Sequence, residues 1–117
     1  MFGKLLGKGS RPKKYKTIDV RELKQMLAGK KKPLLIDVRS ADEFAQGHIP
    51  GARLMPLFTL PVRHGELPQD RPIVVSCRSG SRSRMACEQL YKLGFTNLTN
   101  LKGGLMAWQG AGYKTTR

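Results

Sequence analysis

The chain has 117 residues, of which 39% are hydrophobic and 26% charged, and it carries a formal net charge of +14. This length suits a single domain, and no apolar stretch approaches the roughly 18 residues that a membrane span needs. With two cysteines there is no disulfide framework, and the start of the chain lacks the pattern of a secretory signal peptide. We therefore expect a cytoplasmic protein whose thiols are reduced.

The basic charge is concentrated at the start of the chain, where half of the 22 lysines and arginines lie within the first 32 residues. Residues 1–15 are rich in Gly, Lys and Pro, and we expect a flexible basic arm before a domain that spans residues 16–117. We interpret the arm as a solvated tail, with weak contact between residues 1–16 and an acidic membrane surface as the alternative. No nucleic-acid partner is expected, because aromatic side chains do not interleave with these lysines for base stacking.

The segment after the arm is predicted to form a helix and then a buried strand. Asp19 followed by Glu22 resembles a capping box, and apolar residues at helical spacing continue up to a terminating Gly29. The apolar run over residues 34–38 has the length of a strand and no polar alternation. This run therefore predicts a strand that is covered on both faces.

The middle of the chain is predicted to contain a short helix, a short strand and loops. Ser40 and Glu43 repeat the capping-box spacing, and the helix of one or two turns that they begin should end at Gly47. Residues 52–55 can form a short strand. The proline-containing segment that follows is predicted to be rich in loops.

The second half of the chain alternates strands with helices. We predict a strand over residues 72–76, a helix over about 81–93, a strand over 97–101 and a last helical turn near 105–108. This alternation predicts an α/β fold around a largely parallel sheet.

Cys77 stands where a predicted strand ends and a predicted helix begins. The first N–H groups of a helix lack intrahelical partners and carry partial positive charge, which favours a thiolate. Arg78, Arg82 and Arg84 add full charges nearby. We therefore predict that Cys77 is a nucleophile that is exposed, ionised at neutral pH and surrounded by inward-facing main-chain donors. The alternative is a buried structural thiol.

Other candidate residues have competing interpretations. Cys87 lies within a predicted helix, and we interpret it as a packing residue, with a resolving thiol as the alternative. Asp37 and Arg39 stand at the end of a predicted strand and either orient the active loop or form a structural ion pair or loop hydrogen bond. His48 and His64 have no further ligand at metal-binding spacing, so no metal site is predicted.

A set of short motifs follows a fixed order from about residue 17 to residue 113. They are Asp37-Val38-Arg39, Glu43-Phe44, Gly47-His48-Ile49-Pro50-Gly51-Ala52, Cys77-Arg78-Ser79-Gly80-Ser81-Arg82, Gly103-Gly104, Ala107-Trp108 and Gly112-Tyr113. Together they resemble the single-domain rhodaneses, also called thiosulfate sulfurtransferases. The resemblance implies a three-layer α/β fold, with a five-stranded parallel sheet and helices on both faces. It also implies a persulfide intermediate on Cys77 and no cofactor.

The resemblance implies a sulfurtransferase reaction in two half-reactions. Cys77 would take a sulfane sulfur from thiosulfate or a similar small anionic donor and pass it to a thiol or to cyanide. The loop amides would hold the persulfide, and Arg78 or Arg82 would orient the leaving group. The expected substrate-binding residues are Arg78, Ser79, Gly80, Ser81 and Arg82, with Asp37 and Arg39 in support.

Two alternative functions remain open at this point. One is a sulfur-relay or protein-interaction module that receives persulfide sulfur from a partner protein and turns over thiosulfate weakly. The other is a phosphatase or arsenate reductase on a related scaffold, which uses a cysteine, five intervening residues and an arginine. Here Ser83 occupies that last place and the arginines fall at Arg82 and Arg84. Sulfur transfer is therefore favoured over phosphate or arsenate chemistry.

Overall fold

The protein folds around a parallel β-sheet, and the computed structural model describes residues 14–117. Within these residues the sheet has five strands in the order β1-β5-β4-β2-β3, and every neighbouring pair is parallel. The strands are β1 (Lys16–Ile18), β2 (Leu34–Asp37), β3 (Arg53–Leu54), β4 (Ile73–Ser76) and β5 (Leu98–Leu101).

The same part of the chain contains five α-helices, which cover both faces of the sheet. They are α1 (Val20–Ala28), α2 (Ala41–Gln46), α3 (Leu60–Arg63), α4 (Ser81–Lys92) and α5 (Gly104–Gly110). Core residues of α1 and α5 pack on one face, and those of α3 and α4 pack on the other. The predicted three-layer α/β fold with a five-stranded parallel sheet is confirmed. None of these helices has the length and apolar character needed to cross a membrane.

The central strand β4 is buried on both faces, which explains its uninterrupted apolar sequence. Ile73 and Val75 contact the core on the α4 side, whereas Val74 contacts the core on the α1 side. Alternate residues of a strand point to opposite faces, and Cys77 continues the series of Ile73 and Val75. Its side chain accordingly belongs to the core cluster on the α4 side.

The predicted helix starts are confirmed by their side-chain caps. The Asp19 carboxylate accepts a hydrogen bond from the backbone N–H of Glu22 at 2.9 Å. At the start of α2, the hydroxyl of Ser40 accepts from the N–H of Glu43, and the Glu43 carboxylate accepts from the N–H of Ser40 at 3.1 Å. This reciprocal pair is a capping box. Gly47 ends α2 with a φ of 150°.

Two segments differ from the sequence-based expectation. The middle, predicted to be loop-rich, forms α3 between two 3₁₀ turns over Leu57–Thr59 and His64–Glu66. Pro61 lies in the first turn of α3, where proline is tolerated because the N–H groups there have no intrahelical acceptor. The strand β1 was also not predicted from its residues. It has only three residues, of which Lys16 and Thr17 are exposed, and it is recognised by its parallel pairing with β5.

The expected basic arm, residues 1–15, lies outside the described residues except for its last two. Lys14 donates from Nζ to Glu88 Oε1 of α4 at 3.0 Å. Tyr15 is partly buried against the core cluster on the α4 side. The folded body therefore includes at least two residues that were assigned to the arm. The alternative of a weak membrane contact through residues 1–16 concerns residues that, except for the last three, are not described.

Candidate functional site

The candidate site lies at the carboxyl edge of the sheet, where Cys77 follows β4. From the neighbouring parallel strands β2 and β4, the chain continues to opposite sides of the sheet: β3 lies next to β2 on one side, and β5 lies next to β4 on the other. Such a switch point leaves a crevice beyond the strand ends, in which ligands bind in α/β proteins. Residues 77–80 connect β4 to α4 at this crevice, and residues 77–82, which include the first two residues of α4, are called the Cys77 loop.

Cys77 is buried, and the prediction of an exposed sulfur atom is wrong. Only 1% of the residue is accessible to solvent. Its side chain points to the α4 side for the reason given above, and the loop folds over it. Arg78, Ser79 and Ser81 are the exposed residues of this cover. A substrate therefore reaches the sulfur only past the loop or by its displacement.

The sulfur atom of Cys77 is held by donors from the first turn of α4. The backbone N–H of Gly80 donates to Sγ at 3.0 Å, and the hydroxyl of Ser83 lies 3.5 Å from Sγ. Gly80 has a φ of 112°, in the left-handed region that a residue with a Cβ atom rarely adopts. Glycine at this place thus permits the turn that brings its own N–H to the sulfur.

Two opposing effects determine the pKa of the Cys77 thiol. Burial raises the pKa, because the thiolate loses hydration. The hydroxyl of Ser83 and the backbone amides of Ser83, Gly80 and Ser79 lower the pKa and outweigh burial. The net pKa lies below the ordinary value for cysteine. The donors belong to residues 79, 80 and 83, rather than to the whole run 78–82 that was expected.

The start of α5 fixes the orientation of the Cys77 loop. The N–H of Leu105 donates to the carbonyl of Cys77 at 2.9 Å, and the N–H of Met106 donates to the carbonyl of Arg78 at 3.0 Å. In a trans peptide the C=O and N–H point in opposite directions, so the N–H groups of Arg78 and Ser79 are turned away from α5. A Cβ atom at Gly104 would collide with the Cys77 carbonyl. This explains the glycine at that position.

Arg82 is engaged by a carboxylate that the sequence analysis did not assign to the site. Its two terminal nitrogens donate to Glu43 Oε1 at 2.7 Å and to Oε2 at 3.0 Å. The hydrogen bonds from Arg82 lower the pKa of Glu43 to about 2, burial opposes this, and hydrogen bonds from Ser40 contribute. The ion pair joins α2 to the Cys77 loop across 39 positions of sequence. Glu43 is part of the Glu43-Phe44 motif, but the sequence predicted only its role in capping α2, and the pairing with Arg82 was not predicted.

Ser83, whose hydroxyl lies beside the sulfur, is bound to Asn100, a residue that sequence reasoning missed. Ser83 is fully buried, and its Oγ lies 2.5 Å from Asn100 Oδ1 and 3.1 Å from the Gly80 carbonyl. Because a hydroxyl has one proton, it donates at any moment to Cys77 Sγ or to one of these two oxygens. Ser83 stands six places after Cys77, where the oxyanion enzymes carry an arginine. In the sequence, the absence of that arginine distinguishes position 83. Nothing in the sequence around Asn100, which lies in β5, indicates its contact with Ser83.

Asp37 and Arg39 are buried and bound to each other. Arg39 donates from Nε to Asp37 at 2.9 Å and from a terminal nitrogen to Asp37 at 2.8 Å and to the Gly47 carbonyl at 2.8 Å. The side-chain hydrogen bonds of this pair in residues 14–117 run to each other and to the backbone, and none reaches the Cys77 loop. The contacts favour the structural interpretation, in which Arg39 holds the end of α2.

The remaining candidates do not join the site. Cys87 is fully buried in α4, and burial, aided by the charge of Glu88, raises its pKa to about 12. His48 stacks on Phe44, with 3.6 Å between ring centroids. Among the described residues, no group of three or more His, Cys, Asp or Glu side chains is placed to hold a metal ion.

Residues 19–111 match the rhodanese-like domain family. The chain belongs to this family. A sulfurtransferase of Allochromatium vinosum is 45% identical over 91 residues, which cover 78% of this chain and 85% of that protein. The thiosulfate sulfurtransferase GlpE of Shewanella oneidensis is 35% identical, with 83% of this chain and 95% of that protein covered.

Solved rhodanese structures share the fold. A rhodanese-related protein from Thermoplasma volcanium superposes with a TM-score of 0.79 at 28% identity, covering 87% of this chain and 98% of that one. Some curated relatives are longer, and the chain spans between 25% and 66% of their length. The similarity to sulfurtransferases therefore concerns this domain, and the activities of the longer proteins are not attributed to this chain.

Proposed function

We propose that this protein is a sulfurtransferase that carries a sulfane sulfur as a persulfide on Cys77. The observation that carries the proposal is a buried thiol whose Sγ accepts the Gly80 N–H at 3.0 Å and whose pKa is lowered in spite of burial. Main-chain donors that stabilise a thiolate also stabilise a persulfide anion at the same place. Membership of the rhodanese-like family supports the same chemistry.

The reaction consists of two sulfur-transfer steps. In the first, the Cys77 thiolate attacks the sulfane sulfur of an anionic donor such as thiosulfate. A bond forms between Sγ and that sulfur, and the donor's sulfur–sulfur bond breaks, so that sulfite leaves with the electron pair. In the second, an acceptor thiolate or cyanide attacks the outer sulfur and releases the Cys77 thiolate. This is covalent catalysis with ping-pong kinetics.

Anionic substrates have a route to the loop beside Arg78. A cleft of about 240 Å³ is lined by Arg39, Glu43, Arg78 and Met106, among others. Arg78 is exposed, so its charge is available to attract a donor at this cleft. Asp37 and Arg39 support the reaction indirectly, because they hold the helix that carries Glu43.

Mass spectrometry after incubation with thiosulfate tests the proposal. The intact protein should gain one sulfur atom that dithiothreitol removes, and Cys77→Ser should gain none. Cys87→Ala is the matched control and should load as the wild-type protein does. A wild-type protein that stays unmodified with thiosulfate and with a small-molecule persulfide would contradict the proposal.

A sulfur relay between proteins is the second candidate, and an exposed apolar surface favours it. Phe58 and Val62 are 81% and 86% accessible and stand four residues apart. Phe58 also lines a cleft of about 410 Å³ together with Arg82 of the Cys77 loop. Exposed apolar side chains beside a reactive site suit contact with a protein that delivers or receives the sulfur.

Substitution of this surface separates the two candidates. If a protein partner docks there, Phe58→Ser should slow sulfur exchange with a protein-bound persulfide and leave thiosulfate loading unchanged. If this variant exchanges sulfur with the protein-bound persulfide as fast as the wild-type protein does, the enzyme that acts on small molecules is favoured. Hydrolysis of an aryl phosphate is not expected, because the place of the required arginine holds the buried Ser83.

A further inference from the structure

The Glu43–Arg82 ion pair bears on which sulfur donors the site accepts. We propose that Glu43 is a specificity-determining residue, which neutralises Arg82 and so favours persulfide donors of low charge over dianionic donors such as thiosulfate. The inference rests on the proposed persulfide chemistry at Cys77 and concerns its substrate class.

The balance of charges around the Cys77 loop carries the argument. Four arginines lie on or beside the loop, namely Arg39, Arg78, Arg82 and Arg84. Arg39 is paired with Asp37, and Arg82 is paired with Glu43. Within residues 14–117, the recorded ion pairs include neither Arg78 nor Arg84. Both of these are exposed, so solvent screens their charge more strongly than that of the partly buried Arg82. The ion pair therefore neutralises the partly buried guanidinium of the loop.

Arg82 is the last residue of the Cys77 loop, and the Cys77 thiolate is among the charges that act on its guanidinium. Hydrogen bonding to Glu43 is the main cause that raises the pKa of Arg82, burial opposes it, and the charges of Glu43, Cys77 and Asp37 raise it further. Arg82 and Glu43 are each partly buried, which makes the interaction less screened than a surface pair. A guanidinium in this place, if it were unpaired, would attract the oxyanion of a donor.

The two classes of donor differ by one unit of charge in the step that loads Cys77. With a persulfide anion, the thiolate attacks the outer sulfur, the donor's sulfur–sulfur bond breaks, and the donor leaves as a thiolate. With thiosulfate, the same bond change expels sulfite, a dianion. The complex with thiosulfate thus holds one more negative charge at every stage. A site whose guanidinium is neutralised stabilises this extra charge poorly.

Glu43→Gln tests the inference with little risk to the fold. Glutamine keeps an oxygen acceptor for the capping box with Ser40 but has no charge to hold Arg82. We expect the ratio of the loading rate constants, thiosulfate over cysteine persulfide, which carries a single net negative charge, to rise about threefold to tenfold, mainly through the KM for thiosulfate. Arg82→Gln leaves Glu43 unpaired, and the ratio should fall below that of the wild-type protein.

The double variant and a distant carboxylate supply matched controls. Glu43→Gln with Arg82→Gln has the same net charge at the pair as the wild-type protein, so its ratio should return to the wild-type value within about twofold. Glu66 contacts Arg53 and Arg63 on the surface next to α3. Glu66→Gln therefore removes a comparable ion pair and should leave the ratio unchanged.

The outcomes separate this inference from the proposed function. A wild-type protein that loads no sulfur from either donor would overturn both. A wild-type protein that loads sulfur, together with a ratio that is unchanged in Glu43→Gln or changed equally in Glu66→Gln, would overturn the role of Glu43 alone. A ratio that rises in Glu43→Gln and returns in the double variant supports it.

Discussion

The two cysteines of the chain are equally buried and chemically opposite. Cys77 and Cys87 both belong to the core cluster on the α4 side, and both have almost no solvent access. The pKa of Cys77 is lowered by the hydroxyl of Ser83 and by backbone amides, whereas burial raises the pKa of Cys87 to about 12. Exposure does not distinguish the reactive thiol from the packing thiol; the difference lies in the N–H and O–H groups directed at the sulfur.

This contrast follows from position relative to α4. Cys77 precedes the helix, where the first N–H groups have no acceptor of their own and can turn to a sulfur atom. Cys87 lies within the helix, where neighbouring N–H groups are already bonded to carbonyls four residues earlier. The same helix thus stabilises one thiolate and leaves the other without donors.

Alkylation of the two thiols should give the largest difference. At neutral pH, iodoacetamide should modify Cys77 at least about a hundredfold faster than Cys87 in the folded protein, because the reagent attacks the thiolate. Peptide mapping by mass spectrometry measures both sites in one sample. In urea the two rates should converge. Equal rates in the folded protein would show that the donors at Cys77 have no effect.

Gly104→Ala should disturb the Cys77 loop by direct collision. Its Cβ atom would meet the Cys77 carbonyl and lie 2.8 Å from that of Arg78, at a φ of 53°. The loop must move, and we expect sulfur loading to fall by about tenfold or more, with a loss of stability of about 2 kcal/mol. Stopped-flow loading and urea unfolding measure the two effects.

Gly112→Ala is the matched control for this substitution. Gly112 also has a positive φ, of 82°, but a Cβ atom there meets nothing within 4 Å. The variant should lose about 1 kcal/mol of stability and keep its loading rate. Equal loading rates in the two variants would mean that α5 does not position the loop.

Ser83→Ala should raise the pKa of Cys77, since it removes a donor and leaves burial in place. Loading at a pH below the thiol pKa should slow by about fivefold, the value of one hydrogen bond of about 1 kcal/mol. Thr59→Ala, which removes a hydroxyl bonded to the Pro56 carbonyl, is the control and should leave the profile unchanged. A pH–rate profile that coincides with that of the wild-type protein would exclude Ser83 from thiolate stabilisation.

Glu43 should give the smallest effect, a dependence of stability on acid pH. Its pKa is lowered in the folded protein, so the ion pair contributes fully above the unfolded value of about 4.3, and the contribution is lost as pH falls towards about 2. Since solvent screens this partly exposed pair, we expect about 1 kcal/mol. Urea unfolding across this range should show a steeper decline for the wild-type protein than for Glu43→Gln, and parallel curves would contradict the assignment.

Local sequence patterns were sufficient to predict most of the fold. Asp19 and Ser40 accept hydrogen bonds at the helix starts they were predicted to cap, and the apolar runs before Asp37 and Cys77 form neighbouring strands. These signals are local, because a cap or a buried strand depends on a few adjacent residues. The helix α3 was missed since Pro61 signals a loop unless the first turn of the helix is already known.

The site was predictable only in part, because its contacts join distant positions. Cys77 shares the alternation of Ile73 and Val75, so its burial was available from the sequence, but its position at a strand end outweighed that signal. The pairing of Glu43 with Arg82 and of Ser83 with Asn100 spans 39 and 17 positions. Spacing within a motif does not encode contacts of this kind, which arise when β2, β4 and β5 meet in the sheet.

We conclude that hydrogen-bond donors let the buried Cys77 thiol ionise more easily than an ordinary cysteine does. Titration of this thiol in the folded protein is the most direct test. In a Cys87→Ala background, the ultraviolet absorbance of the thiolate can be followed against pH, with the same chain in urea as the reference. The folded midpoint should lie below the unfolded midpoint. A folded midpoint at or above the unfolded one would mean that burial outweighs the donors and would contradict the proposed role of Cys77.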